Sequence, residues 1–279
     1  ITSQTPQIIT NHRTGAKEII VQDDANKLYL ISNTGKIVWT KQLAEKVESK
    51  YHQIDVYKNN KLQLLFNTKS KIYLLDRNGN NVESYPVKLP EQATNGVTPL
   101  DYDKSRDYRI LIGCIDNMVY NYDITGKRVE GWKYQSATSY AQSNIWHFAI
   151  EGKDYIVIPL KNGQVKVVER SGNDRIKLEN MLPQANNIYL KVGSSIAKSY
   201  LITADSNSTV VKLYFNDKKE GLSIEDAPKN AFFNFADYNS DKANDYIFAA
   251  NGNILISNNE KVELYKNCLL YTSPSPRDH

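Results

Sequence analysis

Residues Lys27–Trp39 read KLYLISNTGKIVW. A short alternating run, KLYLI, gives way to a polar turn with a glycine, and IVW opens a second run, the pattern of two strands joined tightly. The phrase returns as KIYLLDRNGNNV (Lys71–Val82), MVYNYDITGKRV (Met118–Val129) and QVKVVERSGNDRI (Gln164–Ile176). Its glycines, Gly35, Gly79, Gly126 and Gly172, stand 44, 47 and 46 residues apart. Glycine at that point supplies the positive φ that a tight hairpin needs.

Working outward, each phrase is preceded by another strand: EIIVQD, LQLLFN, YRILIG and YIVIPL. Tyr108, Tyr155, Tyr200 and Tyr246, at spacings of 47, 45 and 46, carry the series into YLITAD…VVKLYFNDKK and YIFAAN…ILISNNEKV. There Asn216-Asp217 and Asn258-Asn259 replace the turn glycine, as residues that tolerate left-handed backbone. One further strand-like run comes earlier still, in HQIDVYKNNK, VTPLDYDKSRD, NIWHFAIEGKD and FFNFADYNSDKAND. Four strands per period of about 45 residues is the pattern of a β-propeller blade, whereas a parallel β-helix repeats at roughly 20. Six units are expected within a 1–267 domain, approximately 10–43, 52–89, 97–134, 145–178, 188–224 and 232–267. The fold class is therefore all-β, a propeller of six four-stranded blades or six blades of a seven- or eight-bladed ring. LAEKVESK (Leu43–Lys50) is the best candidate for a helix, as a connector of at most two turns between units.

Composition narrows the function classes. The chain has 279 residues, 41% of them hydrophobic and 24% charged, with net charge +4. That balance gives no nucleic-acid signal, and no apolar run approaches the roughly 18 residues of a membrane span. ITSQTPQIIT has neither the basic start nor the apolar core of a signal peptide. Residues 268–279, CLLYTSPSPRDH, break the pattern and resemble the translated read-through of a sequencing adapter, so the natural chain is expected to have been cut near Asn267. With that tail and its Cys268 set aside, Cys114 remains as a small apolar strand residue, and one thiol makes neither a disulfide nor a zinc site.

SNTGKIVW (Ser32–Trp39) resembles the repeat of quinoprotein-like (PQQ-type) propellers: Asp or Asn, two residues, Gly, Lys, and a Trp closing the next strand. YDITGKRVEGW (Tyr122–Trp132) is similar, with Trp132 two residues later; LDRNGNNV lacks the Trp, and ERSGNDRI lacks both Lys and Trp. The repeat covers nearly the whole chain. It is also similar to the propeller of the outer-membrane assembly lipoprotein family, which carries no cofactor. These resemblances imply a non-enzymatic, protein-binding scaffold of the bacterial cell envelope, periplasmic or outer-membrane associated. Such a scaffold uses its loops on one face or the mouth of its channel. The quinone-dependent dehydrogenases of the same repeat class imply an alternative, with an Asp base, a calcium ion and a Trp floor. Here Trp39, Trp132 and Trp146 read as packing between units, and no catalytic residue and no cofactor ligand is singled out.

A second alternative is a calcium-stabilised adhesion or recognition propeller. In ADYNSDKANDY, Asp237, Asn239, Asp241 and Asp245 occupy loop positions 1, 3, 5 and 9, an oxygen-rich spacing suited to calcium and similar to integrin-type repeats. Lys242 departs from that pattern by standing where the turn usually has Gly. LDYDKSRDY offers Asp101, Asp103 and Asp107 in a loop read as two residues shorter, and both segments also read as polar hairpin turns. His12, His52 and His147 lie near the first strands of three units without zinc spacing, and His147 in NIWHFAI reads as a satisfied core or rim histidine. No nucleophile elbow and no phosphate-binding glycine loop is present. Tyr29, Tyr73 and Tyr120 recur at one position per unit, a sign of packing or of an aromatic ring that binds a peptide or sugar.

Overall fold

A computed structural model describes residues 5–185 and 187–258, together with the backbone of 262–265. Asn259, the tail 268–279 with Cys268 and His279, and the end of the sixth unit lie outside the described residues. The chain divides into two compact units, Ile1–Lys177 and Leu178–His279.

The first unit holds four antiparallel sheets, each of neighbouring strands in chain order. Sheet 1 is β1 (Gln7–Thr10), β2 (Lys17–Gln22), β3 (Lys27–Ile31) and β4 (Ile37–Gln42). Sheet 2 is β5 (His52–Ile54), β6 (Gln63–Asn67), β7 (Lys71–Leu75) and β8 (Val87–Lys88). Sheet 3 has three strands, β9 (Thr98–Leu100), β10 (Arg109–Gly113) and β11 (Val119–Asp123); its fourth is reduced to a bridge between Tyr122 and Arg128. Sheet 4 is β12 (Trp146–Ile150), β13 (Lys153–Pro159), β14 (Val165–Val168) and β15 (Asp174–Ile176). The second unit holds sheet 5, β16 (Tyr189–Lys191), β17 (Tyr200–Ala204), β18 (Thr209–Tyr214) and β19 (Lys219–Ser223). It also holds sheet 6, β20 (Phe232–Ala236), β21 (Asp245–Ala250), β22 (Asn253–Ser257) and β23 (Val262–Tyr265). A single 3-10 turn at Ile196–Lys198 is the only helix among the described residues.

Consecutive sheets bury one another. Ile9, Ile20, Leu28 and Leu30 of sheet 1 pack on Leu64, Phe66, Tyr73 and Leu75 of sheet 2. The other face of sheet 2, with Leu65, Ile72 and Leu74, packs on Ile110 and Ile112 of sheet 3. Leu111 on the far side of sheet 3 meets Ile156 and Ile158 of sheet 4. Alternation thus sends successive residues of one strand into two different interfaces, which is why the central strands are apolar throughout. In the second unit, Ile202 and Val210 of sheet 5 meet Tyr246, Phe248 and Leu255 of sheet 6 in the same way.

The turn glycines perform two tasks. Gly35, Gly79, Gly126 and Gly172 all have positive φ, between 78° and 87°. A Cβ on Gly79 would also lie 2.8 Å from Trp39 Cδ2, one on Gly126 2.5 Å from Val87, and one on Gly172 2.7 Å from the Tyr134 nitrogen. These three turns are therefore pressed against the outer edge of the preceding sheet or the segment that follows it. Trp39 covers the turn of sheet 2 and donates its indole N–H to the Arg77 carbonyl at 3.0 Å. Trp132 covers the turn of sheet 4 and donates to the Val119 carbonyl at 2.7 Å.

The helix expected at Leu43–Lys50 does not form; the segment is an irregular connector. Leu43 and Val47, whose spacing suggests a helix face, are both buried, in the interface between sheets 1 and 2. Buried Gln22 takes the backbone groups a helix would need: its Nε2 donates to the Glu45 carbonyl at 3.0 Å, and its Oε1 accepts the Val47 N–H at 2.8 Å.

Candidate functional site

Antiparallel connectivity puts the turns between the second and third strands, and the connectors from one sheet to the next, at the same end of the sheets. At this end of the first unit the connectors are fixed by buried side-chain amides. Asn67, at the end of β6, accepts the Val97 N–H at 2.8 Å and donates to the carbonyls of Thr68 and Asn95. Asn95 accepts the Gly113 N–H at 2.8 Å and donates to the Ser143 carbonyl at 3.0 Å. Thr94 donates to the Ala141 carbonyl at 2.7 Å. Gln7 and the Tyr51 backbone exchange a pair of hydrogen bonds, as do Gln53 and the Thr10 backbone, closing the inner edge between β1 and β5.

Two recesses open above this frame. One, of about 660 Å³, lies between Thr5–Gln7 and Lys46–Tyr51. The other, of about 230 Å³, is lined by Glu48, Lys69, Ala93–Gly96 and Gln142–Asn144. Lys46, Glu48, Lys50, Lys69 and Asn144 stand exposed around them. The second recess is walled by amides, hydroxyls and charges, while the first sets Pro6, Val47 and Tyr51 among its polar groups. Open recesses with such a charged rim suit recognition of a peptide segment or protein surface more than enclosure of a small molecule.

Acidic loops join the first and second strands of individual sheets, at the end of each sheet opposite its connectors. Three of them have the same length: Ile54 pairs with Gln63, Leu100 with Arg109, and Ala236 with Asp245. The 101–108 loop is thus not shorter than the 237–244 loop, because Asp245 belongs to β21 and matches Arg109 rather than Asp107. In each loop the first Asp accepts the amide five residues on: Asp55 from Asn60, Asp101 from Arg106, Asp237 from Lys242. Each donor, Asn60, Arg106 and Lys242, has positive φ, 61°, 64° and 71°. Asp245 Oδ2 accepts the Tyr238 N–H at 2.9 Å, as Gln63 accepts that of Val56. Asn239 and Asp241 cap the amides of Asp241 and Ala243, and Asn239 Nδ2 donates to Asp241. The four candidate calcium residues therefore hold the turn through backbone amides, in a conformation its two counterparts adopt with Tyr57 and Asn59, or Asp103 and Ser105, at the matching positions. Among the described residues no three His, Cys, Asp or Glu side chains converge as a metal-binding group.

Ion pairs lace this end of the first unit. Arg77 reaches back to buried Glu18 at 2.6 Å, Arg106 to buried Asp55, and Lys58 forward to Asp107 at 2.5 Å. Arg170 joins Asp103 at 2.7 Å and Asp154 at 2.6 Å, and His147 Nε2 meets Asp154 at 2.7 Å. Burial would raise the Asp154 carboxyl, but the hydrogen bonds from His147 and Arg170 outweigh it and hold it below its ordinary value. Tyr102 lies between the Arg170 guanidinium and the His147 ring, and burial pushes its phenol up to about 12. His147 is thus a partnered rim histidine. His12 accepts the Leu62 N–H at 3.1 Å, and burial followed by the charges of Arg13, Arg77 and Lys61 lowers its pKa. Burial likewise lowers that of His52.

The recurring tyrosines are structural. Tyr29 and Tyr120 donate to Asp23 and Asp116 in their neighbouring turns, and Tyr73 stacks on Phe66 at 5.2 Å. Cys114 is a buried free thiol that burial pushes up to about 12. Sequence reasoning did not single out Gln22, Asn67 or Asn95. The one available signal was a polar residue ending a strand that otherwise reads as apolar, EIIVQ or LQLLFN.

No family model and no curated protein sequence matches the chain. Solved structures do. A structure of BBS1N in complex with ARL6DN is 14% identical, with 95% of this chain and 83% of that one covered, at a TM-score of 0.67. BamB from Moraxella catarrhalis is 16% identical, with 93% and 76% covered, at 0.56. At such identities the likeness speaks for architecture, and together with the six sheets it defines the chain as a β-propeller protein.

Proposed function

We propose that this propeller is a non-enzymatic scaffold that binds a protein partner through the connector end of its first four sheets. The observation that carries the reading is the pair of open recesses at Lys46–Tyr51 and Ala93–Gly96, one mixed and one polar, framed by buried Gln22, Asn67 and Asn95 and rimmed by Lys46, Glu48, Lys50 and Lys69. A hydrogen-bonded frame lowers the ordering cost of binding a partner surface. The likeness to a propeller solved together with ARL6DN supports the same class of activity. The quinoprotein-like repeat around Gly35 and Gly126, and the likeness to BamB from a bacterium, support an extracytoplasmic scaffold of the bacterial envelope.

The test places a photo-crosslinking residue at Lys69 or Asn144, with Asn78 at the opposite end as control. A captured protein is then purified and titrated. Lys50→Glu with Lys69→Glu weakens its binding tenfold or more, and Asn78→Ala does not. Equal crosslinking from Asn78, or binding indifferent to the two lysines, overturns the assignment.

A further inference from the structure

His12 stands in the turn between β1 and β2 and reaches across to sheet 2, where its Nδ1 accepts the Leu62 N–H at 3.1 Å. Leu62 closes the 55–62 loop just before β6. A backbone N–H can only donate, so Nδ1 must present a lone pair, and the ring in this structure is neutral with its proton on Nε2. Within the loop, Asp55 accepts the Asn59 and Asn60 amides, and Asn59 accepts that of Lys61. Asp55 and Lys58 tie the loop forward to Arg106 and Asp107 of sheet 3. The Leu62 bond ties it back to sheet 1.

The charged groups around the ring come from four segments. Arg13 belongs to its own turn, Glu18 to β2, Asp55 and Lys61 to the loop, and Asp76 and Arg77 to the turn after β7. Glu18, Asp76 and Arg77 line the same small cavity as His12. The carboxylates are already engaged: Glu18 with Arg77 at 2.6 Å, Asp55 with Arg106, and Asp76 with the Asn78 and Asn80 amides. Burial and the charges of Arg13, Arg77 and Lys61 outweigh Asp55 and lower the His12 pKa. Glu18 Oε2 has no hydrogen-bond partner among the described residues and is the acceptor open to a protonated ring.

We propose that His12 is an acid-released latch: a proton taken from solvent at Nδ1 turns an acceptor into a donor, breaks the bond to Leu62 and frees the 55–62 loop from sheet 1. The latch is closed while the ring is neutral. Because the folded value lies below the ordinary 6.5, it stays closed at and above that value and opens as pH falls through the folded one. The inference is independent of the partner-binding reading, since it uses neither recess.

Two measurements on the full chain test it. Long-range proton–nitrogen correlation reads the His12 ring, and amide exchange reads Leu62 against the rate of an unstructured chain. In the neutral form Nε2 carries the proton, and Leu62 protection falls by about fivefold or more as His12 titrates. His12→Asn places an amide oxygen where Nδ1 stands and cannot titrate, so Leu62 stays protected through the same pH range; in His12→Ala it exchanges freely at every pH. A neutral His12 with its proton on Nδ1 overturns the proposal. So does Leu62 protection that stays constant while His12 titrates, or protection that His12→Asn loses in parallel with the wild type.

Discussion

Gly35 and Gly79 hold the same place in successive repeats, with φ of 78° and 83°, and differ in what lies above them. Substituting each by alanine therefore separates backbone strain from docking. At Gly35 a Cβ has open space, and the cost is that of a non-glycine residue in left-handed backbone, about 1–2 kcal/mol. At Gly79 the same strain applies, and the Cβ also lies 2.8, 3.0 and 3.2 Å from three ring atoms of Trp39. The indole is held by its bond to the Arg77 carbonyl, so relief requires moving ring or turn, an overpacking cost of about 1–3 kcal/mol. Gly79→Ala is thus expected to destabilise by about 2–5 kcal/mol in all, about 1–3 kcal/mol more than Gly35→Ala. Both positions lie in the first compact unit, so urea unfolding followed by tryptophan fluorescence and far-UV dichroism reads the same transition. Trp39→Val costs stability alone but removes the clash, so the double variant with Gly79→Ala is more stable than the two single losses added together. Equal costs for the two glycine variants, or strict additivity with Trp39→Val, would refute the docking of one repeat's turn on the preceding outer strand.

Three further outcomes follow from the geometry. Calcium in excess, or a chelator, moves the melting midpoint by less than about 1 °C, because backbone amides already occupy Asp237, Asp241 and Asp245; a calcium-dependent rise would restore the metal reading. Asp154 titrates lower folded than unfolded, so its ionised form stabilises the fold above the ordinary carboxylate pKa, and that contribution is lost as pH falls through the folded value. Asp154→Asn therefore lowers the urea midpoint near neutrality, and its gap to wild type narrows from about pH 5 toward about pH 3; a constant gap contradicts the ion-pair account. In a Cys268→Ser background, Cys114 resists a thiol reagent in the folded protein and reacts fully in urea, whereas rapid native modification would show that the interface beneath Ala93 opens.

Much of the architecture was legible because its signals are local. A glycine every 44 to 47 residues marks hairpins that only positive φ permits, and alternation between Gly turns marks strands. The candidate calcium loop was legible as a loop and not as a site. An Asp followed five residues later by a left-handed residue is a backbone capping pattern, and its oxygens can serve amides as readily as a cation. The connector 43–50 misled for a related reason. Leu43 and Val47 have helical spacing, yet what governs them is Gln22, whose amide captures the intervening backbone from about two dozen residues away.

The division between sequence and tertiary structure is clearest in sheet 1. The sequence by itself determined that EIIVQ and KLYLI are strands of a repeating four-stranded unit, since alternation and turn chemistry are properties of the chain alone. It could not distinguish Ile19 from Leu64, two apolar residues at the same place in the repeat. Only the tertiary structure decided that Leu64 is buried while Ile19 faces water, because burial depends on which sheet lies opposite, and nothing in the local pattern encodes that neighbour.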